Sequence, residues 1–284
     1  MTTVVSSASK EVTIGLDLPT RLIGERINPT GKKKLSAALL AGDLDLVRSL
    51  AMSQVETGAD ILDVNVGAAE VDEVALLPRA VQAVMEVVDA PLCIDSDDPA
   101  ALTAALKCYK GKPLINSVNG QDERLEAILP VVKEHGAAVI GLCMDDEGIP
   151  KDPDRRVAIA RRIIERAEAL GIPREDVIID SLALTVGAES DAALITLETV
   201  RRVRDEFGVN QTLGASNVSY GLPDRDVINW AFLALAIGAG VTCPVVHVKR
   251  VRPAILAADL LLARDSFAMR YIKAYRKRQK ASKA

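Results

Sequence analysis

The stretch Leu92-Cys93-Ile94-Asp95-Ser96-Asp97-Asp98-Pro99 decides how the rest of the chain is read. Three apolar residues suited to a buried strand run into a carboxylate and a hydroxyl. Asp98-Pro99 then supplies a helix N-cap followed by proline at the first helical position, where an N–H would go unused. The same layout recurs at Ile115-Asn116-Ser117, Ile179-Asp180-Ser181 and Ala215-Ser216-Asn217. Along the whole chain, an apolar run that ends in polar residues and leads into a helical segment occurs eight times. Strands that alternate with helices form a parallel sheet. If that sheet closes, every strand end meets at one mouth, where (β/α)₈ barrels keep their active sites.

Working outward, strands are expected at 21–25, 61–66, 92–94, 114–115, 137–144, 177–179, 211–215 and 241–248. Helices are expected from about Leu35, over 44–57 with Gly58 as its stop, over 73–88, from Asp98-Pro99, and over 122–135. Further helices run from Asp152-Pro153 to Gly171-Ile172-Pro173, then over 192–207, 224–236 and 253–263. An open doubly wound sheet would need a glycine-rich GxGxxG turn to hold a dinucleotide, and no turn here has one. The fold class is therefore α/β, a single (β/α)₈ TIM barrel over residues 21–265. A 20-residue N-terminal extension precedes it, in which Met1 to Lys10 reads as a frayed Ser/Thr-rich tail. Residues 266–284 read as a basic helix or tail (Lys273, Arg276, Lys277, Arg278, Lys280), either solvated or a docking surface for an acidic partner.

Composition agrees with this layout. The chain of 284 residues is 49% apolar with only eight Phe, Trp and Tyr, so its core is built from Ala, Val, Ile and Leu, as suits strands covered on both faces. A net charge of -4 and a pI near 5.4 exclude nucleic acid and anionic membranes as obvious partners. No apolar run approaches the roughly 18–20 residues of a membrane span, and the N-terminus lacks a signal peptide's apolar core. Cys93, Cys108, Cys143 and Cys243 are scattered without metal-binding or disulfide spacing, which points to a reducing cytoplasm.

The strand ends bring Glu25, Arg26, Asn28, Asp63, Asn65, Asp95, Asn116, Asp180, Asn217 and Arg225 to the expected mouth, with Gly141 and Ser216 completing the candidate set. His135 and His247 read as structural, and no HxH or HExxH spacing exists, so no metal site is assigned. Carboxylates alternate with amides, a pattern better suited to an uncharged heterocycle than to a phosphate. A carboxylate accepts from a ring N–H and an adjacent amine together, and an asparagine offers a donor beside an acceptor. Asp95, Asn116 and Asp180 thus match the edge of a 2-amino-4-oxo pterin. Any one of them alone reads equally well as a cap for the next helix; their joint occurrence is what favours a site.

Taken in order, Gly24-Glu25-Arg26-Ile27-Asn28, Asp63-Val64-Asn65-Val66-Gly67, Ile94-Asp95-Ser96, Ile115-Asn116-Ser117, Gly148-Ile149-Pro150-Lys151-Asp152 and Ser216-Asn217-Val218-Ser219 resemble the pterin-binding methyltetrahydrofolate:corrinoid methyltransferases. The resemblance runs from about Leu22 to Asn229; the order of motifs is specific, each tripeptide alone is not. The group is similar to the folate module of cobalamin-dependent methionine synthase and, more distantly, to dihydropteroate synthase. Beyond Val241, Cys243-Pro244-Val245, 252–256 and 261–265 are similar to the standalone methyltransferases of O-demethylase and related one-carbon systems.

That resemblance implies a dihydropteroate-synthase-like barrel, often a homodimer, with tetrahydrofolate or its 5-methyl form as co-substrate. The corrinoid (cobalamin) would be carried by a partner protein. It places Asp95, Asn116 and Asp180 on pterin-binding positions, Asn217 beside N5 as the catalytic residue, and Arg225 at the mouth. A dihydropteroate-synthase-type reaction and a non-catalytic folate binder remain the alternatives.

Overall fold

The computed structural model describes residues 1–281. An antiparallel hairpin comes first, β1 (Thr2–Ser6) and β2 (Glu11–Gly15). The strand–helix alternation follows: β3 (Ile23–Ile27), α1 (Lys33–Leu40), α2 (Asp45–Thr57), β4 (Ile61–Asn65), α3 (Glu73–Met85), β5 (Leu92–Asp95), α4 (Pro99–Cys108), β6 (Leu114–Asn119) and α5 (Asp122–Glu134). Then come β7 (Ala138–Leu142), α6 (Pro153–Ala169), β8 (Val177–Asp180), α7 (Ala192–Phe207), β9 (Gln211–Thr212), α8 (Arg225–Ala239), β10 (Val245–Val246), α9 (Val248–Leu261) and α10 (Met269–Ala281).

Strands β10 and β3 to β9 pair side by side in parallel. The ring closes between its two end strands, where Cys243 N–H donates to the Gln211 carbonyl at 3.1 Å and Val245 N–H to the Leu213 carbonyl at 3.0 Å. Closure leaves no unpaired edge, as the eightfold alternation requires. The expected helix signals hold. Asp98 Oδ1 accepts from Ala100 N–H at 2.8 Å and Asp152 Oδ1 from Asp154 N–H at 3.0 Å, each just before a proline at the first helical position. Gly58 ends α2 with φ 103°, a conformation costly to a residue with a Cβ.

Side chains inside the barrel follow the period of two. Ile23, Ile61, Cys93, Leu114, Ala138, Ile178 and Cys243 form one apolar interior, while the alternate residues face the helices. One step nearer the strand ends the same inward rows carry Glu25, Asp63, Asp95, Asn116 and Asp180. These five strands are thus apolar where they cross the barrel and polar where they reach the mouth, whereas β7 stays apolar through Ile140 and Leu142.

The N-terminus is not a frayed tail. Thr3, Val5, Val12 and Ile14 alternate on one buried face of the hairpin, and the three apolar ones join the barrel's inner cluster. Asn210 Nδ2 donates to Thr3 Oγ1 at 2.9 Å, and Tyr109 Oη to the Ser6 carbonyl at 2.7 Å. The hairpin plugs the end of the barrel where the strands begin. Helix α10 also sits at that end: Lys277 Nζ donates to the Glu56 carbonyl at 2.8 Å, and Arg270 pairs with buried Asp259, which holds Thr20 N–H ahead of β3. The basic helix thus lies away from the strand C-termini, and residues 282–284 of the expected tail lie outside the described residues.

The last two strands are shorter than expected. After Thr212 the chain turns through a 3₁₀ segment, Ala215–Ser219, and after Val246 it enters α9 at once, with Pro253 inside that helix rather than at its start.

Candidate active site

A cavity of about 580 Å³ opens at the strand C-termini. It is lined by Glu25, Asp63, Asp95, Asn116, Asp180, Ser216, Asn217 and Arg225, and by Arg26 and Asn28 beside them. Asn65, Asp95 and Asn116 stand in register on three adjacent strands. Asn116 Nδ2 donates to Asp63 Oδ1 at 3.2 Å. The Asn65 amide bonds Asp95, while its Oδ1 accepts from Gly67 N–H at 2.8 Å. Asn65 does not line the cavity; it orients Asp95 from the side.

Two further placements matter. Gly141, expected in the site, faces away from it. A Cβ on Gly141 would lie 2.8 Å from Ile163 Cγ2 of α6, because the residue occupies an outward position on β7. Its smallness serves strand–helix packing. Gly141→Val is expected to lower stability by about 1–3 kcal/mol through overpacking, a drop of several degrees in Tm, with the cavity's ligand affinity retained. Calorimetry and ligand titration on the same preparation check this.

Asn217 is exposed, carried by the 3₁₀ turn after β9 to the rim opposite the β5–β6 floor. Arg225 braces that turn, donating from Nη2 to the Ser216 carbonyl at 2.6 Å and from Nε to Ser219 Oγ at 3.0 Å. Below Asp180, Arg156 is fully buried and donates to the carbonyls of Pro150, Ser181 and Leu182 at 2.6, 2.7 and 2.8 Å. It fixes the loop whose Leu182 N–H reaches Asp180 Oδ1 at 2.7 Å.

Burial dominates the electrostatics. It pushes the Asp180 carboxyl up to about 7, against the opposing pull of Leu182 N–H and Arg156. It raises Asp63, partly offset by hydrogen bonds from Asn116 and Cys93. Asp95 goes well above the carboxylate range, by burial first and then by the nearby charge of Asp63. Glu25 is also raised by burial, with Lys32, Arg26, Arg225 and Arg250 pulling the other way. Desolvated carboxyls this close do not all ionise together near neutrality.

Several lining residues escaped the strand-end reading: Lys32, Asn229, His247 and Arg250. His247 was expected to be structural, yet it lines the cavity as the residue before α9, and burial lowers its pKa, helped by Arg26 and Arg250. Its Nδ1 and the Oδ1 of Asn229 are buried without a hydrogen-bond partner among the described residues. Buried polar atoms facing a polar cavity are capacity held for a ligand or water. Lys32 and His247 lie in loops, and Asn229 and Arg250 in the opening turns of α8 and α9, all beyond the strand ends. The signal that would have found them is position, since every βα connection of a barrel faces the mouth.

The donor and acceptor set is that of a site for a flat, polar, nitrogen-rich ring: carboxylates and one amide below, a second amide at the rim. A methylcorrinoid:tetrahydrofolate methyltransferase of Eubacterium limosum is 30% identical over 263 residues, covering 90% of this chain and 96% of that one. The methionine synthase of Mycobacterium tuberculosis is 31% identical over 262 residues, 88% of this chain but only 22% of that protein, so the chain spans about a fifth of it. Dihydropteroate synthase structures share the fold. That of Xanthomonas albilineans superposes with a TM-score of 0.70 at 22% identity, covering 93% of this chain and 99% of that one. That of Yersinia pestis gives 0.70 at 19%, covering 91% and 98%. The model of the pterin binding enzymes matches residues 24–247, which takes in every strand of the barrel and the whole floor of the cavity, and the chain belongs to that family.

Proposed function

We propose that this chain is a methyltransferase that moves a methyl group between the cobalt of a corrinoid carried by a separate protein and N5 of tetrahydrofolate. The observation that carries the reading is the gathering of Asp95, Asn116 and Asp180 on the floor of one cavity with Asn217 across its opening. The relative matched along 96% of its length, a methylcorrinoid:tetrahydrofolate methyltransferase, supports it.

In the direction toward folate, N5 gives its lone pair to the methyl carbon and the carbon–cobalt bond breaks with its electron pair left on the metal. The N5 proton then departs. In reverse, N5 must gain a proton or a strong hydrogen bond as its bond to carbon breaks, because a neutral tertiary amine leaves poorly. The Asn217 amide carries both an acceptor and a donor, so it can serve N5 in either direction. A group aimed at charge that develops only in the transition state lowers the barrier without tightening the ground state. The floor residues fix the ring: Asp95 and Asp180 accept from its N–H and amine, and Asn116, held by Asp63, pairs beside them. The rim at Asn217 stays open to solvent, which leaves room for a second protein to present its cofactor and for the proton to exchange with water.

Ionised Asp180 is the form that accepts from the pterin, so ligand binding pulls a proton off a group that titrates at about 7. Affinity is therefore expected to fall as pH drops through about 7, approaching tenfold per unit below it. Fluorescence titration from pH 8 to 6 measures this, and Asp180→Asn is expected to flatten the profile.

We further assign the chain to the tetrahydrofolate side of an O-demethylating or related one-carbon route, in the cytoplasm and as a homodimer. Four free cysteines, three of them buried, suit a reducing compartment. An exposed outer face of α8 with Val227, Trp230 and Leu235 suits a second copy. No helix among the described residues is long and apolar enough to cross a membrane.

Rapid mixing of the protein with reduced corrinoid protein and 5-methyltetrahydrofolate tests the activity. Conversion of the corrinoid spectrum to the methylated form is expected. Binding without conversion would leave a folate carrier, and condensation of a pterin pyrophosphate with para-aminobenzoate would mark a dihydropteroate synthase.

A further inference from the structure

The cavity is electrically two-sided. Asp63, Asp95 and Asp180 lie on the floor, whereas Arg26, Lys32, Arg225 and Arg250 line the wall around Glu25. Four separate places in the chain deliver these cations: β3, the loop before α1, the start of α8 and the first turn of α9. Their own contacts leave them largely uncompensated. Lys32 Nζ donates to the Asn28 carbonyl at 2.8 Å, Arg225 to the Ser216 carbonyl and the Ser219 hydroxyl, and Arg250 reaches Asp226 only at 3.7 Å. Two carboxyls stand among these four cations: Asp226 beside Arg250, and Glu25, which burial biases toward its neutral form. Cations held this close repel one another, and Arg26 adds to burial in lowering Lys32. A ligand with several negative charges would relieve that repulsion.

A folate is a polar bicycle joined through an aminobenzoyl spacer to one or more glutamates. If the floor grips the bicycle, the carboxylates come to the height of this wall. Resting on the methyl-transfer reading, we propose that Arg26, Lys32, Arg225 and Arg250 form a subsite for the anionic tail, and that the chain prefers folates bearing several γ-linked glutamates. Arg26, Lys32 and Arg225 are partly buried in the cavity wall, and only Arg250 is exposed. A ligand that has entered the cavity reaches all four, whereas a protein laid across the rim would meet mainly the last.

The test is titration of the whole protein with the mono- and triglutamyl forms of 5-methyltetrahydrofolate at low and high salt. The triglutamyl form is expected to bind about tenfold tighter at low salt, with the gap narrowing as salt screens the wall. In Arg26→Gln/Arg250→Gln the gap is expected to shrink to about twofold, with circular dichroism and Tm as the check on folding. Lys32→Gln reads the same ratio if the double variant does not fold. Equal affinities in the unaltered protein overturn the proposal. So does a folded double variant that keeps the full gap but loses affinity for the corrinoid protein, which would assign the cations to that partner. A gap without any methyl transfer would sink the functional reading and leave the subsite standing.

Discussion

Asn217→Ala is expected to lower turnover by about 10²–10³ while changing pterin affinity little, because one donor aimed at developing charge contributes on that scale. The geometry explains the asymmetry. Asn217 stands exposed on the 3₁₀ turn at the rim, so its loss opens no hole in the floor and removes no contact to the far edge of the ring. Arg225 braces the same turn through the Ser216 carbonyl, so the backbone at this position holds when the side chain is cut back. Single-turnover rates and equilibrium titration on the same variant separate the two quantities. A loss of affinity as large as the loss of rate would move Asn217 from the chemistry to simple binding.

The opposite split is expected for the floor. Asp95→Ala and Asp180→Ala should weaken pterin binding first, by about 10–100-fold each, since each removes a carboxyl that fixes the ring edge. Asp180 has the cleaner reading. Leu182 N–H and buried Arg156 hold its surroundings from the protein side, so truncation leaves the loop anchored by three other carbonyl contacts of Arg156. Asp95 is less independent, being bonded by Asn65 and close to Asp63. Its removal also relieves a like-charge pair, so Asp63 should ionise more readily in Asp95→Ala. Titration calorimetry gives the affinities, and kcat at saturating folate should fall far less than in Asn217→Ala.

Much of this arrangement is legible in the sequence itself. Ile94-Asp95-Ser96, Ile115-Asn116-Ser117 and Ile179-Asp180-Ser181 announce both the strand and its polar end, because three parallel strands that each stop at a carboxylate or amide point together to a site where one alone would read as a helix cap. The period of two then fixes the face, and it is the same period that makes Gly141 an outward residue. Reading Gly141 as a site residue took its nearness to a strand end without its parity. The hairpin was hidden for a different reason. Its alternation, Thr3 and Val5 against Val12 and Ile14, spans only five residues a strand inside a Ser/Thr-rich segment, and its burial depends on the barrel end it plugs. Lys32 and His247 lie in loops, and Asn229 and Arg250 near the starts of helices, none of them at a strand end, so their convergence is a tertiary fact.

The central claim is that one cavity holds a pterin by its amino-oxo edge and presents N5 to Asn217. A crystal structure of the protein bound to 5-methyltetrahydrofolate tests it most directly. The ring edge is expected against Asp95, Asn116 and Asp180, with the Asn217 amide within about 2.7–3.2 Å of N5. A folate bound outside this cavity, or lying in it with N5 turned away from Asn217, would contradict it.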